Sequence, residues 1–328
     1  MSAEPHPDAV VGAPPAVPPA PTVSPVALAT PANPVVRGIL FAVLAVSLFA
    51  LQNAAAKWLA ADLAPLEIVF FRNLAALIPV SIVLWRAGGV ALLHTARPFT
   101  QVGRGLIMAA GTCAVFTGLG RLPLADVTAL TFAVPLFVTV LSVPFLGERV
   151  GWRRWSAVLV GFAGVMVVTQ PGAGTLDPIA PVVLAGAGAI AFVMVLGRRL
   201  SRTEHTATIA FYSLIGAIAG TGLALPVAWS TPTLPQVGLL AGMGLVSGVA
   251  MLLMTGAYRL APAAVAAPFE YLHIVWAIAL GLVLWGDVPG AHVALGAAVV
   301  ISSGLYILHR ETRRGNAPAT KAGALPRT

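Results

Sequence analysis

The chain contains a single cysteine, Cys113, and only 9% charged residues in 328. Cys113 stands alone inside an apolar run, so it can form no internal disulfide and belongs to no thiolate metal cluster. The shortage of charge excludes a soluble globular protein, in which about a quarter of residues are charged. The phosphate-cradling GxxxxGK[ST] loop is missing, so nothing in the chain suggests direct drive by ATP hydrolysis. HExxH and GxSxG are missing too, and Cys113 has no obvious histidine partner in sequence, so the motifs favour a carrier over a hydrolase. The N-terminus lacks the basic start and unbroken apolar core of a signal peptide: Glu4 and Asp8 come first and prolines interrupt the rest. The first span is therefore expected to act as an uncleaved insertion signal.

What remains is apolar. The chain is 58% hydrophobic with a mean hydropathy of +0.92. Runs of spanning length fall near 38–60, 65–86, 99–119, 124–146 and 152–169, then near 178–197, 206–228, 236–257, 262–285 and 289–308. The fold class expected is an all-α membrane protein of about ten transmembrane helices. Residues 1–37 read as a disordered Pro/Ala-rich tail, 38–170 and 178–309 as two five-helix units, and 310–328 as a basic tail.

Basic residues set the orientation. With the N-terminus in the cytoplasm, sixteen of the 19 Lys and Arg fall in cytoplasmic segments; only Lys57 and Arg121 fall outside, and Arg72 lies within a span. The positive-inside rule thus places both termini in the cytoplasm. The net charge of +8 belongs to loops and tail, which removes nucleic acid as a partner. The partners expected are a small-molecule substrate, the lipid bilayer and a second copy of the chain. No cofactor and no metal is expected.

The two units echo each other. Arg121, Leu122, Val127 and Ala129 recur at the same spacing in the second unit as Arg259, Leu260, Val265 and Ala267. After a one-position slip, Gly147-Glu148 recurs as Gly286-Asp287. Earlier in each unit, Lys57, Leu59 and Phe70 are matched at equal spacing by Arg198, Leu200 and Phe211. Five spans is an odd number, so the units are expected to be inverted, a plan of secondary carriers whose substrate site lies near the midplane.

At this point the chain resembles the ten-span EamA-type carriers of the drug/metabolite transporter superfamily, over about 38–309. The resemblance is carried by PLEIVFFRNLAALIPV (65–80), RPFTQVGRGLIMAAG (97–111), LADVTALTFAVPLFVTVLSVPFLGERVGWRRWSAVLVGFAGVMVV (124–168) and APFEYLHIVWAIALGLVLWGDVP (267–289). It is most like the branch holding S-adenosylmethionine uptake carriers and riboflavin importers. One departure is Asp287-Val288 after the ninth span, where Glu148-Arg149 closes the fourth. The resemblance implies transport of a small organic metabolite, with export of amino acids or other metabolites as the alternative direction.

The candidate site residues come from polar chemistry at depth. Glu270 lies roughly 12 Å along a helix from Pro262, deep in the slab, where an ionisable group needs a cavity or a partner. His273 follows one turn on, and the two read as a proton-responsive pair or, alternatively, as structural groups bonded to the backbone. Arg72 cannot shed its proton, so it holds either an anionic substrate group or a carboxylate of a neighbouring helix. Glu67, nearer the outer surface, is expected to stay wet, and Lys57 to snorkel to the outer interface. Asn53 is a cavity candidate beside Gln52. Tyr271 and Trp276 offer rings for a flat substrate, with packing as the plainer role. Thr131 shares a face with Thr128, Pro135 and Ser142, as a cavity lining or as hydroxyls bonded to their own helix. The pairs Gly216/Gly220, Gly238/Gly242 and Gly244/Gly248 suit close helix approach. A membrane-embedded enzyme is the competing class, and a structural protein the third.

Overall fold

The computed structural model describes residues 34–148, 150–170, 177–201 and 203–315. Long apolar runs in a solvent without hydrogen-bonding partners must satisfy their own backbone, and the described residues accordingly form helices and no strands. In order these are α1 (Pro34–Leu59), α2 (Pro65–Ala87), α3 (Pro98–Leu119), α4 (Leu124–Thr131), α5 (Val134–Leu146), α6 (Trp152–Thr169), α7 (Ala180–Leu200), α8 (Thr206–Ala224), α9 (Leu234–Leu260), α10 (Ala263–Ala266), α11 (Leu272–Trp285) and α12 (Ala291–Gly315). Eight helical stretches are long and apolar enough to cross a membrane, and two shorter apolar helices, Trp155–Thr169 and Ala291–Ile307, complete the expected ten. Prolines open α2, α3, α7 and α9, where a missing N–H costs nothing.

Two expectations shift at the edges. Residues 34–37, assigned to the tail, form the first turn of α1, and α12 runs on to Gly315; the rest of both tails, and the 171–176 link, lie outside the described residues.

The helix pairing repeats itself. α1 packs on α9 as α7 packs on α3, and α2 packs on α9 as α8 packs on α3. α5 meets α7 as α11 meets α1, while α2·α8 and α6·α12 are pairs of equivalent helices and α4·α11 joins the fourth span to the ninth. Close approach repeats in detail. A Cβ on Gly105 would collide with the carbonyl oxygen of Ser213, with Gly216 and with the nitrogen of Ala217. Gly244 is the counterpart of Gly105 in the register that matches Gly147 with Gly286. A Cβ there would collide with the carbonyl oxygen of Arg72, with Ala75 and with the nitrogen of Ala76. In the register that matches Lys57 with Arg198, these three are the counterparts of Ser213, Gly216 and Ala217. Small residues let backbones touch where lipid supplies no hydrophobic drive between helices. Gly216/Gly220 packs on Val102 and Leu106, and Gly244/Gly248 on Arg72 and Pro79. Gly238/Gly242 does not behave as expected: a Cβ at either position would meet nothing within 4 Å, because that face of α9 points away from its neighbours while Leu240 and Met243 are buried.

Large apolar side chains cover the outside of the bundle, among them Leu223, Leu234 and Val283, as lipid-facing helices require.

Candidate functional site

The fourth and ninth spans are both broken. α4 ends at Thr131 and α5 resumes at Val134, across Phe132 and Ala133. The ninth span opens with the single turn α10, passes through a 3-10 turn over Ala267–Tyr271, and becomes regular only at Leu272. Pro135 and Pro268 withhold backbone N–H groups at these points. In the register that matches Arg121 with Arg259, Phe132 and Ala133 correspond to Glu270 and Tyr271. The two breaks touch: the Phe132 and Tyr271 rings meet edge-on with centroids 5.4 Å apart.

Glu270 and His273 do not share a bond as a pair; each has a partner on another helix. The Tyr258 hydroxyl of α9 donates to Glu270. The Asn53 amide nitrogen of α1 lies 3.2 Å from Nε2 of His273, which therefore accepts. Beside Asn53, the Oε1 atom of Gln52 is buried without a hydrogen-bond partner.

Arg72 is packed over the Phe116 ring at 5.7 Å and donates from Nη2 to Oδ1 of Asn73 at 2.7 Å. Its Nε is buried with no partner, and among the described residues no carboxylate forms an ion pair with it. Glu67 does not supply one and is not wet: it is fully buried, accepting from the Ser230 nitrogen at 2.8 Å, from the Ser230 hydroxyl at 2.6 Å and from the Ala64 nitrogen at 3.2 Å. It ties the α8–α9 loop to the start of α2, compensating its charge with three donors.

Two candidates stand apart. Thr131 donates to its own helix, at the Thr128 carbonyl 2.8 Å away, as Thr128 and Ser142 also bond to theirs. Trp276 is 43% exposed and shares a face of α11 with Val283, opposite the buried Ala277 and Gly281.

Lys57 corrects the snorkelling expectation. Its Nζ donates to the Leu122 carbonyl at 2.8 Å, pairs with Asp287 at 3.4 Å and lies over the Trp285 ring at 5.3 Å. The ammonium is held by the Leu122 carbonyl, with Asp287 close by, and the Lys57 side chain is only 13% exposed. Leu122 also lines a cavity of about 340 Å³ with Asp126, Thr169, Asp177 and His292. These last residues carry no signal in the sequence, where each reads as an ordinary helix-end polar group; only the repeat positions of Lys57 and Asp287 hint at this end of the bundle.

A profile described as the EamA-like transporter family matches residues 36–170 and, a second time, residues 178–308. A riboflavin transporter of Rhizobium johnstonii is 33% identical to the chain over 89% of it and 97% of its own length. An S-adenosylmethionine uptake transporter of Rickettsia bellii is 28% identical over 80% of the chain and 90% of its own. The pseudopaline exporter CntI of Pseudomonas aeruginosa is 34% identical over 80% and 93% respectively.

Proposed function

Because this chain belongs to the EamA-like transporter family, we propose that it is a secondary carrier which moves a small organic metabolite across the cell (inner) membrane by alternating access. The observation that carries this reading is the meeting of the two broken spans at Phe132 and Tyr271, with Glu270, His273 and Asn53 gathered beside them. Interrupted helices at matching positions of two repeats mark carrier binding sites, since unwound backbone at membrane depth must line a cavity. The two halves are inverted about the membrane plane, and both termini are cytoplasmic, as the arginine bias supports. The chain acts without catalysis.

The substrate is a polar metabolite of the size and kind named for the relatives, with S-adenosylmethionine and riboflavin first in line and import as the direction. Glu270 and Tyr271 contact it from the ninth span, Asn53 and His273 from the first and ninth, and Arg72 receives its anionic group. Export is the second reading, favoured by the 34% identity to an exporter.

Purified protein in sealed vesicles tests the proposal. Labelled S-adenosylmethionine and riboflavin, followed by a wider metabolite panel, are expected to exchange across the vesicle wall and to leave detergent-solubilised protein without product. Conversion of a substrate in detergent, or no exchange of any panel member, overturns it. Cysteine tags at the C-terminal tail and in loop 229–235 are expected to label from opposite sides; labelling of the tail by an impermeant reagent in intact cells contradicts the orientation.

A further inference from the structure

α8 and α9 each pack on α2, yet they make little direct contact with each other. A groove of about 250 Å³ lies between them, with α2 as its floor. Val80 and Val83 of α2, Met251 and Leu252 of α9 and Ala210 of α8 form its apolar length. Arg259 of α9 and His205, which precedes α8, stand at one end. In the other repeat the counterparts of α8 and α9, which are α2 and α3, meet directly. Phe116 of α3 is buried there against Arg72 of α2. Its counterpart in the register that matches Gly147 with Gly286 is Thr255, which lines the groove and turns its hydroxyl to the Met251 carbonyl of its own helix at 2.9 Å. The ring spans the helices in one repeat, and the smaller side chain leaves them parted in the other.

The groove is confined to one leaflet. From Met251 to Arg259 it runs about 12 Å along α9, and from Val80 to Ala87 about 10 Å along α2, against ~15 Å for half a hydrocarbon core. Its basic end coincides with the ends of the helices: α2 stops at Ala87, α9 at Leu260, and α8 begins at Thr206. Trp85 and Arg86, both exposed, mark the membrane surface at this level of α2. Among the described residues Arg259 has no ion-pair partner. Glu204, the acid beside His205, is engaged by the Thr95 hydroxyl at 2.8 Å, and the His205 ring is held at the mouth by the Ala207 nitrogen, which donates to it at 3.2 Å. An apolar furrow one leaflet deep with cations at the surface is complementary to an amphiphile with a negative head, and the planar fork of arginine matches a phosphodiester.

We propose that the groove between α8 and α9 is a site for one anionic phospholipid, whose phosphate meets Arg259 and His205 and whose acyl chain lies over Val80, Val83 and Leu252. The lipid fills the space that side chains fill in the other repeat, and so couples α8 to α9 through a molecule of the bilayer. On the orientation proposed above it comes from the cytoplasmic leaflet. The site needs only that this end of the bundle reaches one membrane face, and it stands whatever the carrier moves.

The test reads lipid, not flux. Full-length protein in detergent is titrated with phosphatidylglycerol and with phosphatidylcholine of the same chains, and bound lipid is counted by native mass spectrometry. One phosphatidylglycerol is expected to bind roughly tenfold more tightly than phosphatidylcholine, and Arg259→Gln to weaken it by roughly tenfold. Arg86→Gln, at the same end but outside the groove, should leave binding unchanged. Thr255→Phe, which installs the ring of the other repeat, should exclude the lipid. Phosphatidylglycerol carrying a photoactivatable acyl chain should label α2 near Val83 and α9 near Leu252, a readout that does not depend on any variant folding. Equal affinity for the two lipids, an equal loss with Arg86→Gln, or labelling away from these helices would overturn the site. Displacement by inorganic phosphate would assign it to a free anion, and displacement by riboflavin or S-adenosylmethionine to a cargo, and either would overturn it too. Lipid bound as expected by protein that exchanges no metabolite would retain the site and sink the carrier reading alone.

Discussion

Asn53 of α1 and His273 of α11 join their side-chain nitrogens at 3.2 Å across 220 positions of sequence. The amide nitrogen donates, and the imidazole accepts at Nε2. The contact bridges the first span to the regular part of the ninth, just beyond the break. Asn53→Ala removes one hydrogen bond, worth about 1 kcal/mol, from a group with few alternatives. Abundance is expected to hold while exchange slows roughly fivefold, measured in vesicles at saturating substrate. Exchange at the parental rate would place the pair outside the transport path.

Glu270 is expected to set the pH dependence of transport. It sits on a 3-10 turn with the Tyr258 hydroxyl as donor, and in a carrier the two faces solvate it differently. Glu270→Gln keeps the shape and the Tyr258 contact but cannot titrate. Fold and abundance should persist, and the pH profile of exchange should flatten. If the substrate is cationic, affinity should fall at all pH values instead. An unchanged affinity together with an unchanged profile would make the residue structural.

Arg72 is expected to resist conservative replacement. Its guanidinium already donates to Asn73 and lies over Phe116, and its Nε remains open for an acceptor. Lysine supplies a point charge without the planar fork. Arg72→Lys should therefore lose affinity for anionic substrates by roughly tenfold or more while melting near the parental temperature. Full exchange by a well-folded Arg72→Ala would remove the residue from the site.

Gly105 and Gly244 are expected to be equivalent in stability. Each lets a helix approach a carbonyl that a methyl group would strike. Gly105→Ala and Gly244→Ala should each destabilise by about 1–3 kcal/mol, the range for overpacking a close contact. Gly242→Ala, with nothing within 4 Å, should change the melting temperature little. A similar loss at all three positions would mean that the cost lies in the helix backbone and not in the contact.

The positions of the spans are legible in the sequence because an apolar run of spanning length has one stable conformation in lipid. The breaks are less so. Pro135 in an otherwise apolar stretch reads as a kink, and its consequence depends on the matching turn around Glu270, which no local window contains. Lys57 and Glu67 mislead for the same reason: an end-of-helix charge looks wet until its partner is known, and those partners, Asp287 and Ser230, lie far along the chain. The Gly238/Gly242 and Gly244/Gly248 pairs carry one motif with two outcomes, because spacing names a face of the helix but not the neighbour it meets. Asn53, His273, Glu270 and Tyr271 stand out by polarity at depth; the structure joins Asn53 to His273 and gives Glu270 a separate partner in Tyr258. Trp276 and Thr131 stand out by residue type alone; one faces outward and the other turns back on its own helix.

In the carrier proposed above, the correspondence of Arg72 with Ser213 would bear on what the binding site distinguishes. Both backbones sit in the same turn against matching glycines, yet one side chain is a fixed cation and the other a hydroxyl. Glu270 and Phe132 differ likewise at the matching breaks. A chamber made of two equal halves would receive a molecule in either of two opposed poses with equal energy. Unlike residues at like positions abolish that degeneracy, so the ligand acquires a head and a tail. On the carrier reading, divergence between the copies would give the chamber a single reading direction that neither copy has alone.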